Sequence, residues 1–202
     1  MKDKENKGGL SGPGPSERPH PTERRNKEGI RIELNDPTEL PKRITTFSAL
    51  VKHEPGVLSK VSGLFARRRF NIESLTVGAT ENINNARITI VVDENETGII
   101  QVKKQLAKLF PVLSVKELSN TAVERELCLI KIKEGHEKEN IENMVSEYGL
   151  KMIDSSQKII TIEITGDRLE IDMMIEKFDQ FEIKEIARTG IAALERGSKK
   201  TT

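Results

Sequence analysis

The loop His53-Glu54-Pro55-Gly56 carries the residues of this sequence that are best suited to binding a small ligand. A strand-like segment precedes the loop and apolar residues at helical spacing follow it, so the loop is predicted to open a helix. The start of a helix exposes unpaired N–H groups and a partial positive charge, and Gly56 has no Cβ to keep a ligand from the backbone. Pro55 would set the entry angle. This arrangement suits the carboxylate of a free amino acid, although an ordinary Pro-Gly turn before a helix is the alternative.

Two further candidate residues, Asn71 and Gly78, follow the predicted helix. The Asn71 carboxamide can accept a hydrogen bond from an ammonium group and donate one to a carboxylate. Glycine inside a strand is costly, so Gly78 suggests that a ligand or a neighbouring chain approaches the backbone there. A turn asparagine and a β-bulge are the respective alternatives.

Residues that could support catalysis or bind a metal form no recognisable pattern in the sequence. His20, His53 and His136 do not lie at metal-ligand spacing from one another or from Cys128, the single cysteine. Cys128 falls in a predicted strand, where an inert buried thiol is expected. Glycine-rich nucleotide-binding motifs are missing as well. The chain is therefore predicted not to be an enzyme and to hold no cofactor or metal of its own.

Composition narrows the remaining classes of function. The 202 residues are 35% hydrophobic and 32% charged with a net charge of +1, so no bulk attraction to nucleic acid or to an anionic membrane is expected. No apolar run is long enough to span a bilayer, and the N-terminus lacks the apolar region of a secretory signal. A single cysteine excludes an internal disulfide, which fits a cytoplasmic protein. An RNA-binding role is disfavoured because the strand 86–92 carries no aromatic residue.

Hydrophobic periodicity predicts the same order of elements twice: strand, helix, strand, strand, helix, strand. Helical spacing occurs at residues 57–65, 99–110, 141–148 and 171–178. This order is typical of the split βαβ, or ferredoxin-like, unit. The predicted fold class is therefore α+β, with two tandem ferredoxin-like βαββαβ domains.

Domain limits follow from changes in composition. Residues 1–41 are rich in Gly, Pro, Ser and charge and are predicted to be a disordered tail, with a possible short edge strand at Ile30–Leu34. The two domains are placed at residues 43–120 and 124–190. Residues 191–202 are predicted to be a flexible C-terminal tail.

Several longer segments resemble a known family, and the resemblance spans Arg43 to about Gly197. They are the segments 53–58, 61–65, 71–77, 103–109, 123–127 and 185–190. With them the chain is similar to the regulatory (small) subunit of acetolactate synthase, also called acetohydroxyacid synthase. The run Asn71-Ile72-Glu73-Ser74-Leu75-Thr76-Val77 is the most specific of these segments.

The resemblance implies that residues 43–120 form an ACT domain, a module that binds amino acids. Two such domains from different chains are expected to pair and to hold valine at their interface. The implied activity is to stimulate a separate catalytic (large) subunit and to confer feedback inhibition by valine. Thiamine diphosphate, magnesium and FAD are expected only in that catalytic partner. The implied effector-binding residues are His53, Pro55, Gly56, Val57, Leu58, Asn71, Ile72 and Gly78.

Two positions depart from the pattern of the family. Bacterial relatives often have Asn where this chain has His53, and many relatives have Gly where it has Arg69. The alternatives to this interpretation are an ACT-type sensor that regulates another partner, such as a transporter or a transcription factor, and a stand-alone ferredoxin-like enzyme.

Overall fold

The computed structural model describes residues 41–135 and 137–201. Apart from Pro41, the tail predicted at residues 1–41 lies outside the described residues, as does the possible strand Ile30–Leu34. Within the described part, none of the helices is long and apolar enough to cross a membrane.

The first unit is an antiparallel four-stranded sheet with the strand order β2-β3-β1-β4. Its helices cover one face of the sheet, where alternate residues of β3 (Ala86, Ile88 and Ile90) join a buried core. The elements are β1 (Lys42–Lys52), α1 (Val57–Arg68), β2 (Ser74–Ala79), β3 (Asn85–Asn95), α2 (Glu96–Leu106) and β4 (Val112–Glu117).

The second unit repeats this plan with the strand order β6-β7-β5-β8. Its core is aliphatic and includes Ile130, Ile162 and Ile171, each with a fully buried side chain. The elements are β5 (Val123–Lys133), α3 (Lys138–Glu147), β6 (Lys151–Ser156), β7 (Ile159–Gly166), α4 (Arg168–Phe178) and β8 (Ile183–Arg188). The prediction of two tandem ferredoxin-like units is confirmed.

Helix α2 and strand β2 are among the elements whose boundaries differ from the sequence-based prediction. Helix α2 ends at Leu106 rather than Phe110, because successive turns take the chain out of the helix, with the N–H of Leu109 donating to the carbonyl oxygen of Leu106. Phe110 precedes Pro111, which disfavours helical geometry, and its side chain is 81% exposed. Strand β2 begins at Ser74 instead of Asn71, which lies in the connection after α1.

The segment after β8, predicted to be a flexible tail from residue 191, instead contains a strand. Strand β9 (Ala192–Leu194) pairs with Val123–Arg125 at the start of β5. Ile191 and Ala193 are 2% and 4% exposed, and they pack with Val91 of the first sheet. The prediction was wrong because these few apolar residues are too short a run to show strand periodicity, although they bury well against the open face of the sheet.

Beyond β9, the carboxylate of Glu195 is also buried. It accepts hydrogen bonds from the hydroxyl and the backbone N–H of Ser119, at 2.9 and 3.1 Å. These hydrogen bonds, helped by the charges of Lys116 and Lys199, lower the pKa of Glu195. The C-terminal segment is thus tied to the chain that joins the two units.

Candidate functional site

The Pro55-Gly56 loop is both a turn and a helix start. Gly56 has φ 83° and ψ −2°, the angles of the third residue of a type II turn with proline in the second position. The N–H of Val57 closes the turn on the carbonyl oxygen of Glu54 at 3.4 Å, and the N–H of Lys60 donates to the Gly56 carbonyl oxygen at 3.0 Å. Helix α1 therefore begins at Val57, and Pro55 lies before its first turn. The predicted turn and the predicted helix start are both present.

The N-terminus of α1 leaves backbone donors open. Among the described residues, the N–H groups of Gly56, Leu58 and Ser59 have no hydrogen-bond acceptor, and no side chain caps this helix. No acidic residue lies in its first turn. Unpaired donors and the helix dipole together make this end of α1 attractive to an anion such as a carboxylate.

A small apolar cavity of about 150 Å³ lies beside these donors. Four of the effector-binding residues implied by the resemblance line it: His53, Gly56, Val57 and Leu58. Its remaining lining consists of residues from neighbouring strands and the loop: Val51, Lys52, Glu54, Val77, Ala86 and Ile88. An anion-attracting backbone next to an aliphatic hollow is the pair of features that an aliphatic amino acid requires.

The predicted residues beyond α1 lie elsewhere in the protomer. Asn71 is exposed and its Nδ2 donates to Glu73 Oε1 at 2.5 Å. Ile72 packs against the core of the first unit. Gly78 lies on the opposite face of the sheet from the 150 Å³ cavity and lines a larger one of about 520 Å³. Of the predicted residues, one protomer therefore brings together His53, Gly56, Val57 and Leu58 around the small cavity. Pro55 lies in the turn and does not line the cavity.

Neighbouring loops fix the position of the β1–α1 loop. The N–H of His53 donates to the Asn84 carbonyl oxygen at 2.7 Å, and that of Lys52 donates to the Pro111 carbonyl oxygen at 2.8 Å. The Lys52 ammonium lies 5.0 Å from the centre of the Phe110 ring. Lys52 and the strand residues that line the cavity were not among the residues predicted from the sequence. The strand alternation that places Val77 and Ile88 on one face is the pattern that could have predicted them.

The described residues contain no group of three or more His, Cys, Asp or Glu side chains placed to bind a metal ion. Cys128 is buried, and this burial raises the pKa of its thiol. A buried thiol with a raised pKa is a poor nucleophile.

Comparison with known proteins identifies the family. Residues 47–114 match a family model described as the AHAS small subunit-like ACT domain, and residues 125–197 match the model for the small subunit of acetolactate synthase. A probable acetolactate synthase small subunit of Archaeoglobus fulgidus is 45% identical over 156 residues, which is 77% of this chain and 98% of that protein. This chain belongs to the acetolactate synthase small-subunit family.

Other members of the acetolactate synthase small-subunit family agree in sequence and fold. A probable small subunit of Methanothermobacter thermautotrophicus is 44% identical, across 75% of this chain and 92% of that protein. The crystal structure of the Thermotoga maritima acetolactate synthase small subunit aligns with a TM-score of 0.73 and 40% identity, covering 78% of this chain and 99% of that one. The resemblance seen in the sequence is confirmed, and family membership supports a regulatory rather than a catalytic role.

Proposed function

We propose that this protein is the regulatory subunit of an acetolactate synthase, that it activates the catalytic subunit, and that it confers feedback inhibition by valine. The main support for the proposal is that the N-terminus of α1, with its unpaired N–H groups, lies beside the 150 Å³ cavity. The carboxylate of valine would accept from the free N–H groups of Gly56, Leu58 and Ser59. Its isopropyl group would enter the aliphatic hollow between Val57 and Val77.

The remaining candidate residues would come from a second copy of the chain. Strand β2 is an edge of the first sheet, so its outer backbone groups have no neighbouring strand within the described residues. Leu58 and Val77 border the cavity yet are 45% and 44% exposed, which suits a surface that a partner covers. A homodimer formed by the first units would then add Asn71 and Gly78 to the site.

Gly78 supports this arrangement independently. A Cβ built at Gly78 would have no heavy atom of the protomer within 4 Å, and its φ does not lie in the left-handed region. Nothing in the described protomer therefore requires glycine there, although glycine weakens a strand. Close approach by the ligand or by the partner chain accounts for its presence.

Valine would act as an allosteric effector. It can shift the activity of the catalytic subunit only by binding one conformational state more tightly than the other. A coupling free energy on the order of 1–3 kcal/mol, or about 5–150-fold in affinity, is typical of such systems. Thiamine diphosphate, magnesium and FAD would belong to the catalytic subunit, and this chain would supply the effector site.

Reconstitution tests the proposal. The full chain is mixed with a purified acetolactate synthase catalytic subunit, and acetolactate formation is measured with valine, leucine, isoleucine and, as a control for stereochemistry, D-valine. We expect the chain to raise the activity and L-valine to lower it, with D-valine inactive. No stimulation and no effect of any branched-chain amino acid would contradict the proposal and favour a different partner protein.

A further inference from the structure

Strand β2 approaches the segment after β8 at Gly190. A Cβ built at Gly190 would lie 2.7 Å from Ser74 Oγ and 2.9 Å from the Leu75 carbonyl oxygen, and closer still to Thr76 Oγ1. The N–H of Ile191 donates to Ser74 Oγ at 3.2 Å. Because one of these neighbours is a backbone carbonyl oxygen, a residue larger than glycine at position 190 would force the two segments apart.

Gly190 is also joined firmly to the second unit. Arg188 ends β8, and its guanidinium pairs with Glu126 of β5 and, at 2.5 Å, with Asp172 of α4. The N–H of Thr189 donates to the Leu127 carbonyl oxygen at 2.9 Å. A displacement at Gly190 would therefore act on two strands and one helix of the second unit.

Strand β5 extends the connection. Its first residues, Val123–Arg125, pair with β9, and its later residues pair with β7 and β8 in the second sheet. The buried side chains of Ile191 and Ala193 meanwhile pack with Val91 on the first sheet. One continuous strand thus links the segment on the first unit to the centre of the second sheet.

The two faces of β2 serve different contacts. Val77 lines the 150 Å³ cavity on the helix-covered face. Ser74 and Thr76 pair with Val91 and Thr89 and point to the other face, where Gly190 lies. A ligand that shifts or orders β2 from one side therefore acts on Gly190 from the other.

We propose that the contact of Ser74 with Gly190 and Ile191 transmits effector binding in the first unit to β8 and α4 of the second unit. This inference rests on the proposed function, because it assumes that an amino acid binds beside β2. The contact couples the two units if the position of β2 relative to Gly190 differs between the effector-bound and the effector-free protein. Ser74 acts here as a positioning residue and does not touch the effector.

Hydrogen exchange of the full chain, with and without valine, tests this route. The variants are Ser74→Ala, which removes the hydrogen bond to Ile191, and Gly190→Ala, which forces the two segments apart. Their matched controls are Ser156→Ala in β6 and Gly63→Ala in α1, where a new Cβ would meet only the end of the Arg67 side chain, at 3.3 Å. Exchange is followed separately in β2, β8 and α4.

We expect valine to slow exchange in β2, β8 and α4 of the wild type and of both controls. In Ser74→Ala the effect on β2 should persist, while the effect on β8 and α4 falls on the order of fivefold. Unchanged slowing in β8 and α4 of Ser74→Ala would overturn the inference, as would slowing confined to β2 in the wild type. No change anywhere in the wild type would instead show that valine does not bind, and the proposed function would fail with it.

Discussion

Val77 and Gly78 are consecutive residues of β2, yet they face cavities on opposite sides of the first sheet. Val77 lines the 150 Å³ cavity beside α1, whereas Gly78 pairs with Arg87 and lines the 520 Å³ cavity on the other face. A single protomer therefore cannot use both residues in the small cavity. If both contact the effector, then Gly78 must come from a second chain.

Substitutions at these two positions should weaken valine binding for different reasons. Val77→Leu adds a methylene group to the wall of the small cavity, so the space left for the side chain of valine is smaller. Gly78→Ala should raise the free energy of unfolding by about 0.5 kcal/mol because alanine suits a strand better than glycine. It should nevertheless weaken valine binding, because the added methyl group obstructs close approach by the partner chain.

Calorimetric titration with valine measures the valine affinity of each variant, and urea unfolding measures its free energy of unfolding. Wild-type affinity in Gly78→Ala would remove Gly78 from the site. Wild-type affinity in Val77→Leu would show that valine does not enter the small cavity.

Arg69 occupies a backbone conformation that favours glycine. Its φ is 58° and its ψ is 29°, immediately after α1 ends at Arg68. Arg69→Gly should raise the free energy of unfolding by about 0.5–1 kcal/mol, since the left-handed region costs a residue with a side chain about 1–2 kcal/mol and the entropy of glycine offsets part of this gain. Arg68→Gly removes the same charge from the helix itself and should cost about 1 kcal/mol. Equal urea midpoints for the two variants would contradict this account.

The ion pair between Arg188 and Glu126 should contribute to stability through burial of the carboxylate. The Glu126 side chain is only 4% exposed, so Arg188→Met would leave it without a counter-charge. We expect a loss of about 2–3 kcal/mol in the free energy of unfolding. Adding Glu126→Gln should recover part of that loss, which a double-mutant cycle in urea would measure. Additive losses would show that the two side chains do not depend on each other.

Glu195 should make the protein less stable in acid. Its pKa in the folded protein is lowered from the ordinary value of 4.5 by hydrogen bonds from Ser119. A carboxyl group with a depressed folded pKa stabilises the protein above its unfolded pKa, and this contribution is lost as the pH falls through the folded value. Glu195→Gln should therefore be less stable than the wild type at pH 7, and the difference should shrink below pH 4.5. Unfolding free energies measured from pH 7 to pH 3 would show a constant difference if Glu195 does not titrate in this way.

Much of the fold could be predicted because its elements are long and periodic. Residues 57–65 show helical spacing, and the alternation at 86–92 marks a strand with one buried face. Strand β9 could not be predicted, because three residues are too few to show a period and its pairing with Val123–Arg125 depends on the folded chain. The exposure of Phe110 could not be predicted, because Phe110 continues the helical spacing of the apolar residues before it. In the structure the chain leaves the helix after Leu106.

The site was predictable only where its residues are close in sequence. The turn at Pro55-Gly56 and the first residues of α1 form one local unit, so a sequence motif defines them. Val51 and Ile88 reach the cavity through strand pairing, which the motif does not encode. Asn71 and Gly78 were grouped with the loop from the family resemblance, and the role proposed for them requires a second chain.

The central claim is that a free amino acid binds at the start of α1, and titration calorimetry of valine into the full chain tests it most directly. The wild type should show saturable binding. Gly56→Asp places a carboxylate beside the open N–H groups and Asn71→Ala removes the predicted amide partner, so both should bind at least about tenfold more weakly, a loss of about 1.4 kcal/mol. Circular dichroism would establish that each variant is folded, and Gly63→Ala serves as the control. Unchanged valine affinity in both folded variants, or no binding by the wild type, would contradict the account.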